Sequence, residues 1–303
     1  MPSVKIILKA LRLPFLTGSL LPVTAAAALA YRDTHNANLN LLLLTLLGVG
    51  ALHLGGNLIN DYYDSFGSDP LNLYATPFSG GSRVIQNQEL SARVVRDLAY
   101  GFMALGVLCG LSLIYLGRPW VAVVGLLGLL AAWLYSAKPV QLMNLGLGEL
   151  TIFLAFGPVL SFGAYYVMTG DLRPVGLAVG LPLAFLITAI LWINEFPDLE
   201  ADVAAAKRHL VARLGLKVSR WAYAALMLAP FACLVLLVET FKMPAHLFAC
   251  LVALPLALKA VQGAFQHQPT TPEFVAVQAQ TIKTHFILGL TQTLALFYAA
   301  LWA

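Results

Sequence analysis

The chain has 303 residues, 60% of them hydrophobic and 11% charged, where soluble domains carry about 25% charged residues. That shortage argues against a disordered chain and against a water-soluble globule of this length. A polytopic all-α membrane protein, which uses lipid as its solvent, is left. The pI near 9.0 would suit a nucleic-acid binder, but a net charge of +4 dispersed along apolar sequence fits orientation in a membrane better, and no nucleic-acid partner is expected. No obligate protein partner is evident. Cys109, Cys233 and Cys250 lie in apolar runs and offer neither metal spacing nor a disulfide framework.

A crossing needs about 20 mostly apolar residues. Scanned with that window, the sequence predicts nine transmembrane helices, near 13–31, 39–60, 94–116, 119–136, 147–168, 174–196, 218–238, 244–262 and 283–302. The first follows a basic amphipathic stretch with Lys5, Lys9 and Arg12 and reads as an uncleaved helix, not a signal peptide. Gly117-Arg118-Pro119 predicts a tight hairpin. With the N-terminus in the cytoplasm, 14 basic residues fall on the cytoplasmic side and four (Arg32, Arg118, Arg173 and Lys242) on the other. That is the positive-inside bias. It puts the C-terminus on the periplasmic side of an inner membrane.

Eleven of the 14 acidic residues share the cytoplasmic side, which orientation does not require. Most fall into two clusters. The first closes the second span: Asn57, Asp61 and Asp64 share one helical face at i, i+4, i+7, and Gly67 is expected to end the helix and let Asp69 fold back beside them. The second closes the sixth span: Asn194, Asp198 and Asp202 repeat the pattern at i, i+4, i+8, with Pro197 expected to kink or restart the helix. Stacked carboxylates at a membrane edge repel one another and need an offsetting cation. Carboxylate plus amide oxygen is a hard-cation set, and Mg²⁺ commonly joins one or two carboxylates to substrate phosphates. Arg83, Lys138, Lys207 and Arg208 are candidate phosphate binders, and Gly80-Gly81 lets backbone N–H groups approach an anion. The active site would face the cytoplasm.

Simpler readings suit other residues. Glu89, Asp97, Glu195 and Glu200 read as solvated helix caps, and His53 and His285 as satisfied interior polar groups. Tyr62 fits an interfacial belt but lies within reach of the acidic face. Glu149, intramembrane in this topology, is expected to serve function or to pair with Lys138 or a helix N-terminus. The repeated Asn-xxx-Asp pattern, four spans apart, suggests two four-helix halves (about 10–140 and 145–265) around a central cavity, with an extra helix at about 283–302.

Asn60-Asp61-Tyr-Tyr-Asp64-Ser-Phe-Gly-Ser-Asp69 resembles the first aspartate-rich motif of the UbiA superfamily of intramembrane prenyltransferases, and Asp198-Leu-Glu-Ala-Asp202 with Lys207-Arg208 resembles the second. The resemblance covers essentially the whole chain. Gly80-Gly81-Ser82-Arg83-Val84-Ile85, Gly146-Leu-Gly148-Glu149-Leu150, Phe156-Gly157-Pro158-Val159 and Tyr165-Tyr166 are similar to segments of 1,4-dihydroxy-2-naphthoate polyprenyltransferases of menaquinone synthesis. Four positions depart from that branch. Glu195 and Pro197 stand where it carries Asn and Arg, and Ala206 and His209 stand where Gly and Thr are usual.

The resemblance implies Mg²⁺ held by Asp61, Asp64, Asp69, Asp198 and Asp202 with Asn57 and Asn194. It makes Asp61, Asp64, Asp198 and Asp202 catalytic, and Arg83, Lys138, Lys207 and Arg208 diphosphate ligands. Asn60, Tyr62 and Glu149 are candidates for the acceptor site. The implied reaction transfers a polyprenyl group from its diphosphate to dihydroxynaphthoate, with loss of CO₂ and diphosphate, giving demethylmenaquinone. Its alternatives are another acceptor (4-hydroxybenzoate, homogentisate, chlorophyllide or haem) or a transporter.

Overall fold

A computed structural model describes residues 3–302. Among them the chain is helical and contains no strand. The α-helices are α1 (Val4–Leu11), α2 (Thr17–Thr34), α3 (Leu39–Asp64), α4 (Ala92–Tyr115), α5 (Val121–Leu134), α6 (Gly148–Phe156), α7 (Pro158–Thr169), α8 (Pro174–Ala178), α9 (Leu181–Ala204), α10 (Leu210–Glu239), α11 (Leu254–Gln266) and α12 (Phe274–Ala300). Seven segments are long and apolar enough to cross a membrane: Leu13–Thr34, Leu39–Asp64, Ala92–Tyr115, Gly148–Thr169, Pro174–Ala204, Leu210–Glu239 and Ala245–Gln266.

Two more helices stand where the sequence predicts crossings. α5 is apolar but has 14 residues, about 21 Å at 1.5 Å per residue, short of the ~30 Å hydrocarbon core. α12 has 27 residues but carries Gln278, Thr281, His285 and Gln292, all fully buried. Those side chains face protein, where interhelical hydrogen bonds can satisfy them. Leucines such as Leu108, Leu126, Leu236 and Leu294 are exposed, the expected surface of a helix bundle solvated by lipid.

The span expected at 147–168 is broken. The α6–α7 segment parts at Gly157 (φ −116°, ψ −100°), where Pro158 disfavours a helical conformation for the residue before it. A Cβ on Gly157 would overlap Ala184, so the break lets the backbones of α6 and α9 come close, as small residues do between membrane helices. By contrast, α9 runs without interruption through Pro197, so the expected restart there does not occur. α3 ends at Asp64 with Ser65 as its C-cap, before Gly67, and Asp69 opens a separate 3-10 turn.

The apolar core forms two main clusters. The larger is built from α2 and α7–α12, and the smaller from α1, α3, α4 and the loop that follows α3. α12 packs against α2 on one side and against α9 and α11 on the others. Both acid-bearing helices, α3 and α9, end at the same end of the bundle, where the 65–91 and 205–209 loops cover them.

Candidate active site

Asp61 and Asp64 occupy the last turn of α3, with Asp69 in the turn just beyond; Asp198 and Asp202 occupy the last turns of α9. Asp61, Asp69 and Asp202 are buried. The two clusters meet at Lys207, whose Nζ lies 3.2 Å from Asp64 Oδ1 and 3.1 Å from Asp202 Oδ1. One ammonium thus joins carboxylates carried by two distant segments. Burial opposes its charge, but Asp64 and Asp202 outweigh burial and raise its pKa, so Lys207 stays protonated.

The loop after α3 ties the clusters a second time. Asn72 Nδ2 and the Gly80 N–H donate to Asp198 at 2.8 and 2.9 Å, while the Ser82 N–H donates to both Asp61 oxygens at 3.2–3.3 Å. The Gly80 and Ser82 donors are two positions apart, so they stand at most about 7 Å apart along the chain. The Gly-Gly backbone does approach an anion, and here the anion is carboxylate. Gly81 (φ +73°) lies between the two: a Cβ there would stand 2.9 Å from Asp69 Oδ2 and 3.2 Å from Asp61 Oδ1.

Asp69 also accepts from Gln86 Nε2 at 3.0 Å, and Arg83 donates to its backbone carbonyl. Burial, then the Asp64 and Asp61 charges, push the Asp69 carboxyl up to about 8. Asn60 donates to Asp64 at 3.1 Å and to Ser136 at 3.1 Å, linking α3 to the segment after α5. Asn57 donates to the Leu11 carbonyl and Asn194 accepts from Gln278. Both asparagines therefore brace the site and line the cavity beneath it.

That cavity measures about 310 Å³. Its polar end carries Arg12, Asn57, Asn60 and Asn194, and its far end Leu44, Val121 and Val167. From Asn60 to Leu44 it follows α3 for about 24 Å. His53 lies in the wall, its Nδ1 2.6 Å from Ser19 Oγ, the satisfied interior histidine that the sequence suggests.

Several expected site residues stand elsewhere. Lys138 is exposed and enters no ion pair among the described residues. Arg208 is exposed too, and its carbonyl serves Arg213. Tyr62 joins an aromatic cluster with Tyr63 and Phe66 instead of the acidic face. Glu149 pairs not with Lys138 but with a helix start: its Oε1 accepts the Leu210 N–H at the beginning of α10. Glu195 is 9% exposed and faces His209, so it is no solvated cap. His285 is buried with both ring nitrogens unpartnered, unlike the satisfied group expected.

Sequence reasoning misses Arg12, Asn72, Gln86, Gln278 and His209. Arg12 reads as one of three orienting cations. In the structure it adopts φ +50° at the break between α1 and the turn before α2, donates to Phe78 O at 3.0 Å and lies over the Phe15 ring at 4.7 Å. His209 is visible in sequence only as a departure. It sits between Glu195 (3.4 Å) and Asp202 (3.2 Å). Burial alone would lower its pKa, but Asp202 and Glu195 outweigh burial and push the imidazole up to about 10.

Residues 19–277 match the UbiA prenyltransferase family. The chain belongs to the UbiA prenyltransferase family. It is 34% identical over 220 residues to a 1,4-dihydroxy-2-naphthoate octaprenyltransferase of Mycobacterium tuberculosis, covering 72% of each chain. It is 29% identical over 280 residues to the human UbiA prenyltransferase domain-containing protein 1, covering 90% of this chain and 78% of that one. Among solved structures it shares its fold with an apo UbiA homologue from Aeropyrum pernix (TM-score 0.69, 18% identity, 91% of this chain and 96% of that). It also shares it with a UbiA homologue from Archaeoglobus fulgidus bound to DMAPP and Mg²⁺ (TM-score 0.59, 19% identity, 93% and 98%). As a UbiA family member with several long apolar helices, the protein is an integral membrane prenyltransferase.

Proposed function

We propose that this UbiA protein transfers a polyprenyl group from polyprenyl diphosphate to 1,4-dihydroxy-2-naphthoate, with loss of CO₂ and diphosphate, giving demethylmenaquinol, the reduced form of demethylmenaquinone. The observation that carries the reading is the joining of two acidic clusters, through Lys207 and the 72–83 loop, directly above a long apolar cavity. The acceptor rests on the named relatives, of which the mycobacterial enzyme is one.

The residues fit Mg²⁺. Five aspartates supply the oxygen donors this ion prefers, and an ammonium already bridges Asp64 and Asp202, so a positive charge suits that position. Asp61, Asp64, Asp69, Asp198 and Asp202 would hold the metal, with Asn57 and Asn194 bracing the aspartate-bearing helices. When bound, Mg²⁺ supplies the positive charge that makes diphosphate a leaving group. Lys207, Arg83 and Arg12 add fixed cations at the polar mouth, where they offset the charge that grows on the leaving oxygens as the C–O bond ionises. The cavity walls hold the isoprenoid tail and keep water from the allylic cation until the aromatic carbon attacks. Asn60, between Asp64 and the cavity, is placed to orient the acceptor.

The chain would cross the membrane nine times, with α5 and α12 completing the seven long spans. Its N-terminus and its site would be cytoplasmic, and its C-terminus periplasmic. A reporter fused after Asp202 should then report the cytoplasm.

The departures at Glu195, Pro197 and His209 favour one second reading: the same transfer to another aromatic acceptor. Turnover in membranes given prenyl diphosphate, Mg²⁺ and dihydroxynaphthoate tests the clamp. Asp61→Asn and Asp198→Asn should each cut it about 10²–10³-fold, and near-normal rates in both would sink it. Quinone mass spectrometry of a deletion strain tests the acceptor. Unchanged menaquinone would refute dihydroxynaphthoate and leave the transfer itself standing.

A further inference from the structure

Beside the clamp, three buried side chains form a cluster that the proposed transfer does not use. Glu149 lies at the start of α6, Glu195 on α9, and His209 immediately before α10. One ligand atom from each lies within 4.8 Å of the other two. Glu149 and His209 are 3% exposed and Glu195 9%. Glu149 spends one oxygen on the Leu210 N–H. Its Oε2 and the Glu195 Oε2 are buried without hydrogen-bond partners.

Native proteins rarely leave two such carboxylate oxygens together, because each forgoes the water it would otherwise bind. A proton on the imidazole would offset only one of the two carboxylates, whereas a divalent ion offsets both. His209 is set up as a ligand. Its Nδ1 lies 3.4 Å from Glu195 and 3.3 Å from the Ala212 N, and an ion bound there would displace the proton that the two carboxylates otherwise favour on the ring. Its Nε2 faces Asp202 at 3.2 Å, off the line of a hydrogen bond. Metal-binding histidines commonly turn their second nitrogen to a carboxylate in this way.

We propose that Glu149, Glu195 and His209 bind a divalent transition-metal ion of the Zn²⁺ type, separate from the oxygen clamp. Two carboxylates and an imidazole match the donor preference of zinc, with a fourth position left for water; Mg²⁺ prefers oxygen alone. The ion would tie α6, α9 and the start of α10 together. It would thereby hold the 205–208 loop, and Lys207 with it, against Asp64 and Asp202. The assignment does not depend on which acceptor the enzyme uses.

The test uses the full chain in detergent, loaded with Zn²⁺ and dialysed against excess Mg²⁺, with bound metal counted by mass spectrometry. The wild type should keep about one zinc per chain. Glu195→Gln and His209→Gln should each weaken zinc binding at least about tenfold, and Asp61→Asn should leave it unchanged. X-ray absorption at the zinc edge of the wild type, which does not depend on whether the variants fold, should show nitrogen and oxygen donors with a single imidazole. The assignment is overturned if Mg²⁺ displaces the zinc, if both variants retain zinc as the wild type does, if Asp61→Asn alone loses it, or if the zinc shell lacks imidazole.

Discussion

The two acidic clusters carry similar motifs but are held differently. In the α3 cluster Asp61 and Asp69 are restrained by uncharged donors, the Ser82 N–H and the Gln86 amide, with Gly81 packed between the two carboxylates, while Asp64 shares Lys207 with α9. On α9 the cations dominate, with Lys207 and His209 both reaching Asp202. Asp198 is the exception on that helix, since it takes its donors from the 72–80 segment that follows α3. Neutral donors fix carboxylate oxygens in place without supplying an opposite charge, so Asp61 and Asp69 still call for an incoming cation. The α9 cluster is partly neutralised beforehand and needs less from the metal to remain folded.

Four substitutions test that contrast. The largest effect should come from Lys207→Met, which leaves Asp64 and Asp202 facing each other without their ammonium. Breaking a buried ion pair costs about 3–5 kcal/mol, and turnover should fall about a hundredfold. Thermal unfolding in detergent should drop further in chelator than in Mg²⁺, because the metal substitutes for the lost charge; an equal drop in both would erase the proposed difference between the clusters. Gly81→Ala comes next. At φ +73° a side chain costs about 1–2 kcal/mol, and its Cβ presses on Asp69 and Asp61, so Mg²⁺ should bind about tenfold more weakly by titration calorimetry. Arg12→Ala removes a cation from the cavity mouth without touching either cluster. The expected change is about a tenfold rise in KM with a smaller change in kcat, and an unaltered KM would exclude Arg12 from substrate contact. Gln86→Ala should be the mildest. One neutral hydrogen bond contributes about 1 kcal/mol, so activity should fall about fivefold at most.

The repeated Asn-xxx-Asp spacing was legible because one helix turn brings i and i+4 to the same face, and each motif lies within a single helix. The partners of those aspartates were not legible. Asp198 is bound by Asn72 and Gly80 across 126 and 118 residues, and no local spacing encodes such a meeting. Glu195 looked solvated because an acidic residue near a helix end usually is, and only the folded position of His209 shows otherwise. Pro197 predicts a kink or a restart, yet α9 runs through it, with Glu195 against His209 and Phe196 against Tyr223 and Phe274. α5 and α12 diverge from a hydropathy reading for opposite reasons. One is short though apolar, and the other is long but polar on the face it buries.

Gln278, near the start of α12, holds the Asn194 side chain at 2.9 Å, while Arg12, before α2, closes the cavity mouth from the other extreme of the chain. During synthesis the segment bearing Arg12 enters the membrane early and the one bearing Gln278 enters late. On the proposed function, a nascent chain would therefore have no finished site until the segment bearing Gln278 has left the ribosome, and a half-inserted chain would not cleave prenyl diphosphate.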